Sequence, residues 1–199
     1  MKIIYTHFLY KNLFIFWMML VSFVGVGQTI TIGTGTTSVT GAFENYYENA
    51  KVQAVYLQSE IGAARTLTTL AYDFTYVTSD ATRRDFNNFT IKLKHTATAS
   101  FGAAFEDMSA GTTVFSNADY NMPTSTGWHT FDITDFAYNG TSNLVVEIIW
   151  GDNGEYAGDP YTVNSTFNAS TVCVFGISDT QTPPTYMGGD GYRPNIRFG

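Results

Sequence analysis

The chain has 199 residues, 44% of them hydrophobic and 16% aromatic, and a formal charge of −7 at pH 7 from 10 basic and 17 acidic side chains. An acidic surface repels phosphate backbones and anionic headgroups, which argues against nucleic acid and anionic membranes as partners. The one cysteine, Cys173, cannot form an internal disulfide, so the fold must be held by its core.

Residues 1–27 differ in kind from the rest. Lys2, His7 and Lys11 precede the apolar run "LFIFWMMLVSFVGV" (13–26), and Gly25 and Gly27 stand at the −3 and −1 positions of a cut before Gln28. This is the pattern of a cleaved secretory signal peptide. The apolar run is shorter than the ~20 residues a membrane-spanning helix needs, which argues against an anchor. Position 28 is Gln, so a lipid-modified first cysteine is excluded. The segment contains no acidic residue, so residues 28–199 are more acidic than the whole chain. They contain no linker, composition break or internal repeat and are read as one domain.

Along that domain, helical periodicity is nearly absent and alternation recurs. "TITIG" (29–33) begins the series, and the glycines of "GTGTTS" (33–38) let the chain leave that strand. With no third glycine, lysine or following helix, this is not a phosphate loop. "FENYYEN" (43–49) places Tyr46 and Tyr47 in a polar loop. "VQAVYL" (52–57) and "LAYDFTYV" (70–77) are rich in β-branched and aromatic residues, and the turn cluster "SDATRRDFNN" (79–88) follows them. "FTIKLKHT" (89–96) puts Phe89, Ile91, Leu93 and His95 on one face and Thr90, Lys92, Lys94 and Thr96 on the other. "ASFGAAFEDMSAG" (99–111) is the least regular stretch and is expected to hold one short helical turn.

Further strands are expected at "TTVF" (112–115), "WHTFDI" (128–133), "NLVVEIIW" (143–150), "TVCVFGI" (171–177) and "NIRF" (195–198), separated by the Gly, Pro and Asn turns of "MPTSTG", "YNGTSN" and "DTQTPPTYMGGDG". About nine short strands between turns predict an all-β antiparallel sandwich of jelly-roll type. Cys173, among apolar neighbours, reads as a buried inert thiol. Trp128, just after a glycine, reads as core.

The segments "TITIGTGT", "VYLQSEIG", "FTIKLKHT", "TGWHTFDITDFAYNGTSNLVVEI" and "YRPNIRF", taken in order from Thr29 to Phe198, resemble a β-sandwich module of exported and cell-surface Bacteroidota proteins. The resemblance implies a place ahead of fibronectin-like modules and a C-terminal type IX secretion sorting domain. This chain departs from that pattern by ending at Gly199, directly after the last expected strand, which leaves extracellular and periplasmic destinations both open.

Most catalytic chemistry lacks its residues. His95 and His129 share strand faces with apolar side chains, and no G-x-S-x-G elbow accompanies them. Jelly-roll glycosidases pair two carboxylates across a cleft, for which Glu147 and Asp132 are the available strand acids. No strand carries acids at alternate positions. The stretch "WGDNGEYAGDPY" (150–161) sets Asp152, Glu155 and Asp159 around glycines and a proline. Calcium takes six to eight oxygens and such a loop supplies several, but the EF-hand spacing is not met. A solvated turn is the simpler reading, with calcium as the alternative.

The aromatic content favours binding over catalysis, because sugar rings stack on aromatic faces while amides and carboxylates bond the hydroxyls. Tyr46, Tyr47, Trp150 and Tyr156 are the ligand-binding candidates. The expected function is a non-catalytic adhesion or recognition module whose partner is a glycan or a surface protein. A glycosidase and an architectural spacer are the alternatives.

Overall fold

The computed structural model describes residues 28–80, 83–153 and 160–199. Over these residues it is an antiparallel β-sandwich, 55% strand and 4% helix, with no closed barrel. The strands are β1 (Ile30–Ile32), β2 (Thr37–Val39), β3 (Asn49–Tyr56), β4 (Arg65–Tyr76), β5 (Asp85–Thr96), β6 (Thr112–Asn121), β7 (Gly127–Tyr138), β8 (Asn143–Trp150), β9 (Thr162–Phe167), β10 (Cys173–Ser178), β11 (Gly188–Asp190), β12 (Tyr192–Pro194) and β13 (Ile196–Phe198). Among the described residues, one short helix, α1 (Gln58–Ile61), and a 3-10 turn at Gly41–Phe43 interrupt them.

One sheet has the order β11-β10-β3-β8-β5-β6. The other runs β1-β13-β4-β9-β12, with β2 added on β9 and β7 on β4. A core cluster of buried side chains lies between them, including Leu144, Val146, Ile148 and Trp150 from β8, Phe89, Ile91 and Leu93 from β5, and Leu70, Tyr72 and Phe74 from β4. Each fully buried large apolar side chain contributes roughly 1.5–3 kcal/mol, less the ordering entropy that opposes it.

Strict alternation fails on β5 and on β4, and backbone irregularities restore the inward phase there. Phe86 and Phe89 both face inward although three positions apart, because Asn88 between them takes φ 53°. Asparagine tolerates this left-handed region better than most residues. On β4, Leu67 and Leu70 both point inward across a register shift between Leu67 and Thr69.

The outer face of the six-stranded sheet is covered by the segment 99–111. Phe101 and Met108 pack there on Val55, Val145, Val172 and Val174. No helix is present in this segment; of the helical turn expected there, it has one hydrogen-bonded turn, Gly111 N to Met108 O at 2.9 Å. Its backbone is held instead by side chains of the sheet: Glu106 N donates to Gln53 Oε1 at 2.8 Å, Gln53 Nε2 donates back to Glu106 O at 2.9 Å, and Lys94 Nζ donates to Asp107 O at 2.6 Å. Such partners leave the extended backbone hydrogen-bonded without a helix.

The two flanks of the sandwich differ. On one, β6 and β7 are successive strands joined by the turn 122–126, and Tyr120 Oη bonds His129 Nε2 at 2.6 Å. On the other, β2 and β12 of one sheet and β3, β10 and β11 of the second leave a cleft between them.

Candidate functional site

The cleft has a volume of about 280 Å³. Val39, Val52, Phe175 and Ile177 supply its apolar lining, Tyr192 an aromatic wall, and Glu44 and Asp190 two carboxylates. Each is positioned by the local chain. Val52, Phe175 and Ile177 belong to the inward faces of neighbouring strands, since Phe175 pairs directly with Val52. Glu44 leaves the 3-10 turn. Asp190 closes β11, where its Oδ1 accepts the Tyr192 backbone N–H at 3.0 Å. A glycine is required at 189, where a Cβ would lie 2.5 Å from the Thr171 methyl.

Cys173 also borders the cleft but is only 4% exposed. Burial, reinforced by the Asp190 charge, pushes its thiol up to about 12. It is protonated at neutral pH and is not a nucleophile. The charge of Arg193, one residue beyond Tyr192, is taken up elsewhere: its guanidinium bonds both Glu60 oxygens and Val55 O and stacks on Tyr56. Among the described residues, no basic side chain lines the cleft.

Two sets of aromatic rings belong to chain segments that also contribute to the cleft or pack on its lining. Tyr46 and Tyr47 follow Glu44 in the same loop, with ring centroids 5.2 Å apart, and Tyr46 is exposed. Phe167 is 65% exposed and packs 5.2 Å from Tyr192. Phe167, Tyr192, Glu44 and Asp190 were not singled out by sequence reasoning. Their signals are weak: a strand of Asn, Ser and Thr around Phe167 looks like a loop, and "MGGDGY" looks like a turn.

The other candidates are placed as follows. Trp150 is a correction, because it is fully buried with its ring 4.8 Å from Phe86 and presents no face to a ligand. Trp128 is the reverse case. It is half-buried on the outward face of β7, with the Arg197 guanidinium 3.8 Å above its ring. Tyr156, Glu155 and Asp159 lie outside the described residues.

Asp152 is held at φ 63° at the end of β8. Its Oδ2 accepts Asn88 Nδ2 at 3.0 Å, and its Oδ1 lies 3.4 Å from Thr182 Oγ1, whose proton goes to Asn49 Oδ1. These contacts tie down the turn. Among the described residues, no group of three or more His, Cys, Asp or Glu is placed to hold a metal.

Glu147 and Asp132 cannot work as a pair. Glu147 is 1% exposed on the outer face of the six-stranded sheet, bonded by Gln53 Nε2 at 2.7 Å and 3.4 Å from Lys51 Nζ. Asp132 is exposed on the outer face of the opposite sheet, between the inward-facing Phe131 and Ile133. The histidines are likewise structural. Asn139 N donates to His95 Nε2 at 3.1 Å, and burial lowers the pKa of both His95 and His129.

No protein-family model and no curated protein matches the chain. Among solved structures it is similar to the clostridial cysteine protease Cwp84 after propeptide cleavage, at 7% identity and a TM-score of 0.47 over 85% of this chain and 39% of that one. It is also similar to the cysteine protease and lectin-like domains of Cwp84, a surface layer associated protein of Clostridium difficile, at 6% identity and a TM-score of 0.44 over 76% of this chain and 32% of that one. The chain thus spans well under half the length of the structures it matches. Among the described residues, no helix is long and apolar enough to cross a membrane.

Proposed function

We propose that this protein is an exported, non-catalytic recognition module that binds a glycan in the cleft between its sheets, acting in adhesion or cell-surface assembly. The observation that carries this reading is the cleft itself, lined by apolar side chains, Tyr192 and the carboxylates of Glu44 and Asp190. A sugar ring has apolar C–H faces that pack on such a lining and hydroxyls that donate to carboxylates. Export rests on the signal-peptide pattern of residues 1–27, with maturation before Gln28. Membership of the Bacteroidota surface module is part of the same proposal and rests on the order of the sequence segments.

The test combines a glycan array with isotope-resolved NMR of the purified protein, and N-terminal sequencing of the exported form. Binding should shift the amides of Glu44, Phe175 and Tyr192, and Tyr192→Ala should weaken it about tenfold, as loss of a stacking platform does. An array without hits would instead support an architectural spacer. Release of a shortened sugar, abolished by Glu44→Gln or Asp190→Asn, would convert the reading to a glycosidase.

A further inference from the structure

Phe167 is exposed in a strand phase that is otherwise buried. On β9 it is in step with Val163 and Ser165, both fully buried between the sheets, yet it is 65% exposed itself. It pairs directly with Tyr192 of the cleft lining, so the two side chains leave the sheet on one side, and their ring centroids lie 5.2 Å apart at 59°. The aromatic surface of the cleft therefore continues past Tyr192 into solvent. Single exposed apolar residues are ordinary on a protein surface, but this ring is also fixed in place. Gly191 leaves room for it, since a Cβ there would stand 3.1 Å from Phe167 Cε2. The chain beyond it is tied by Asn168, whose N donates to Gly191 O at 2.8 Å and whose Nδ2 donates to Thr166 O at 3.0 Å.

Resting on the glycan reading, we infer that Phe167 forms a second sugar subsite beside the cleft, so that the protein selects an oligosaccharide over a single sugar. The cleft's 280 Å³ lie just under the ~300–1,000 Å³ of sites for drug-sized ligands, which suits one ring. A second ring must lie outside it. That ring stacks on Phe167 while the first packs against Tyr192, which touches both subsites. An aromatic platform already held by its neighbours loses little freedom when a ligand arrives, so its contact area adds to affinity. Phe167 has no hydrogen-bonding group, and the second subsite reads the apolar face of a sugar unit and not its hydroxyls.

The experiment is an NMR titration of the purified protein with glucose, mannose and N-acetylglucosamine and with the β-1,4-linked dimer and trimer of each. In the series that binds, the dimer should bind about tenfold more tightly than the monomer, as one added aromatic contact allows, and the trimer should add little more. The amides of Phe167 and Asn168 should respond to the dimer and not to the monomer. Phe167→Ala should remove the gain, so that the dimer binds this variant no better than the monomer does, and Phe167→Tyr should retain it. Equal binding of monomer and dimer by the parent, or a gain that survives Phe167→Ala, would overturn the second subsite and leave the glycan reading intact. Self-association of the parent that Phe167→Ala abolishes, without a dimer gain, would assign the ring to a contact between copies instead. Silence of the cleft amides with every sugar would overturn the subsite and the glycan reading together.

Discussion

His95 and His129 show how a single side chain is fixed by its strand. Each shares a face with apolar residues, and the Nε2 of each ring has one partner, Asn139 N for His95 and Tyr120 Oη for His129. Burial holds both imidazoles below their ordinary range. A depressed imidazole stabilises the fold in its neutral form, so its contribution is complete above about pH 6.5 and lost as pH falls through the folded value. We expect His95→Gln and His129→Gln each to cost about 1 kcal/mol near pH 8, from one lost hydrogen bond. Melting curves at a series of pH values should show a shallower acid slope in the double variant than in the parent. An unchanged slope would mean that neither imidazole is coupled to folding. The placement of these rings was legible from alternation. So was that of the tryptophans, had phase been weighed above neighbours: Trp150 is in step with Leu144, Val146 and Ile148, and Trp128 with the outward Thr130 and Asp132.

Elements hold together through contacts that alternation does not encode. Arg193 on β12 is 3% exposed and reaches across to Glu60 on α1, 133 positions earlier, so that the last strands close against the first helix. Burial works against ionisation of Glu60, but the hydrogen bonds from Arg193 and Leu57 N and the Arg193 charge outweigh it and hold the carboxyl below its usual range. The pair therefore stabilises the fold above the carboxylate range and loses that effect as pH falls below about 4.3. Glu60→Gln should cost about 2 kcal/mol at pH 7, below the 3–5 of a fully buried pair because Glu60 meets solvent. Urea unfolding should show the gap between variant and parent closing toward pH 3, and a constant gap would assign the loss to packing. Strands with strong β-formers were readable, as β8 was in full. Four were not: β9 has the composition of a loop, β2 and β11 have three residues each, and β12 carries Pro194 beside the kink at Asn195. The absent helix in 99–111 has the same origin, since its hydrogen bonds come from Gln53 and Lys94, which no local pattern reveals.

At the scale of the molecule, the sheets close at β6 and β7 and part at β2, β11 and β12, so three of the four strands that sequence reasoning missed line the cleft, beside the readable β3 and β10. The net charge of −7 spreads over this acidic chain and bears on the last question, whether divalent ions act specifically or only by screening. Asp152, the one described carboxylate of the acidic turn, accepts Asn88 Nδ2 on Oδ2, while its Oδ1 lies 3.4 Å from Thr182 Oγ1, whose proton goes to Asn49 Oδ1. A calcium ion there would have to displace the Asn88 amide or bind through Oδ1, and recruit further oxygens. A specifically bound ion would raise the melting temperature with its concentration, by about 2.7 kcal/mol of stability at one hundred times the dissociation constant. Screening of a net negative chain gives a smaller rise that magnesium, or monovalent salt at matched ionic strength, reproduces. We expect the second behaviour, with Asp152→Asn nearly neutral because asparagine tolerates the left-handed backbone at this position. A calcium-specific rise in melting temperature that Asp152→Asn abolishes would show instead that the turn closes around the ion, with Asp152 among its ligands.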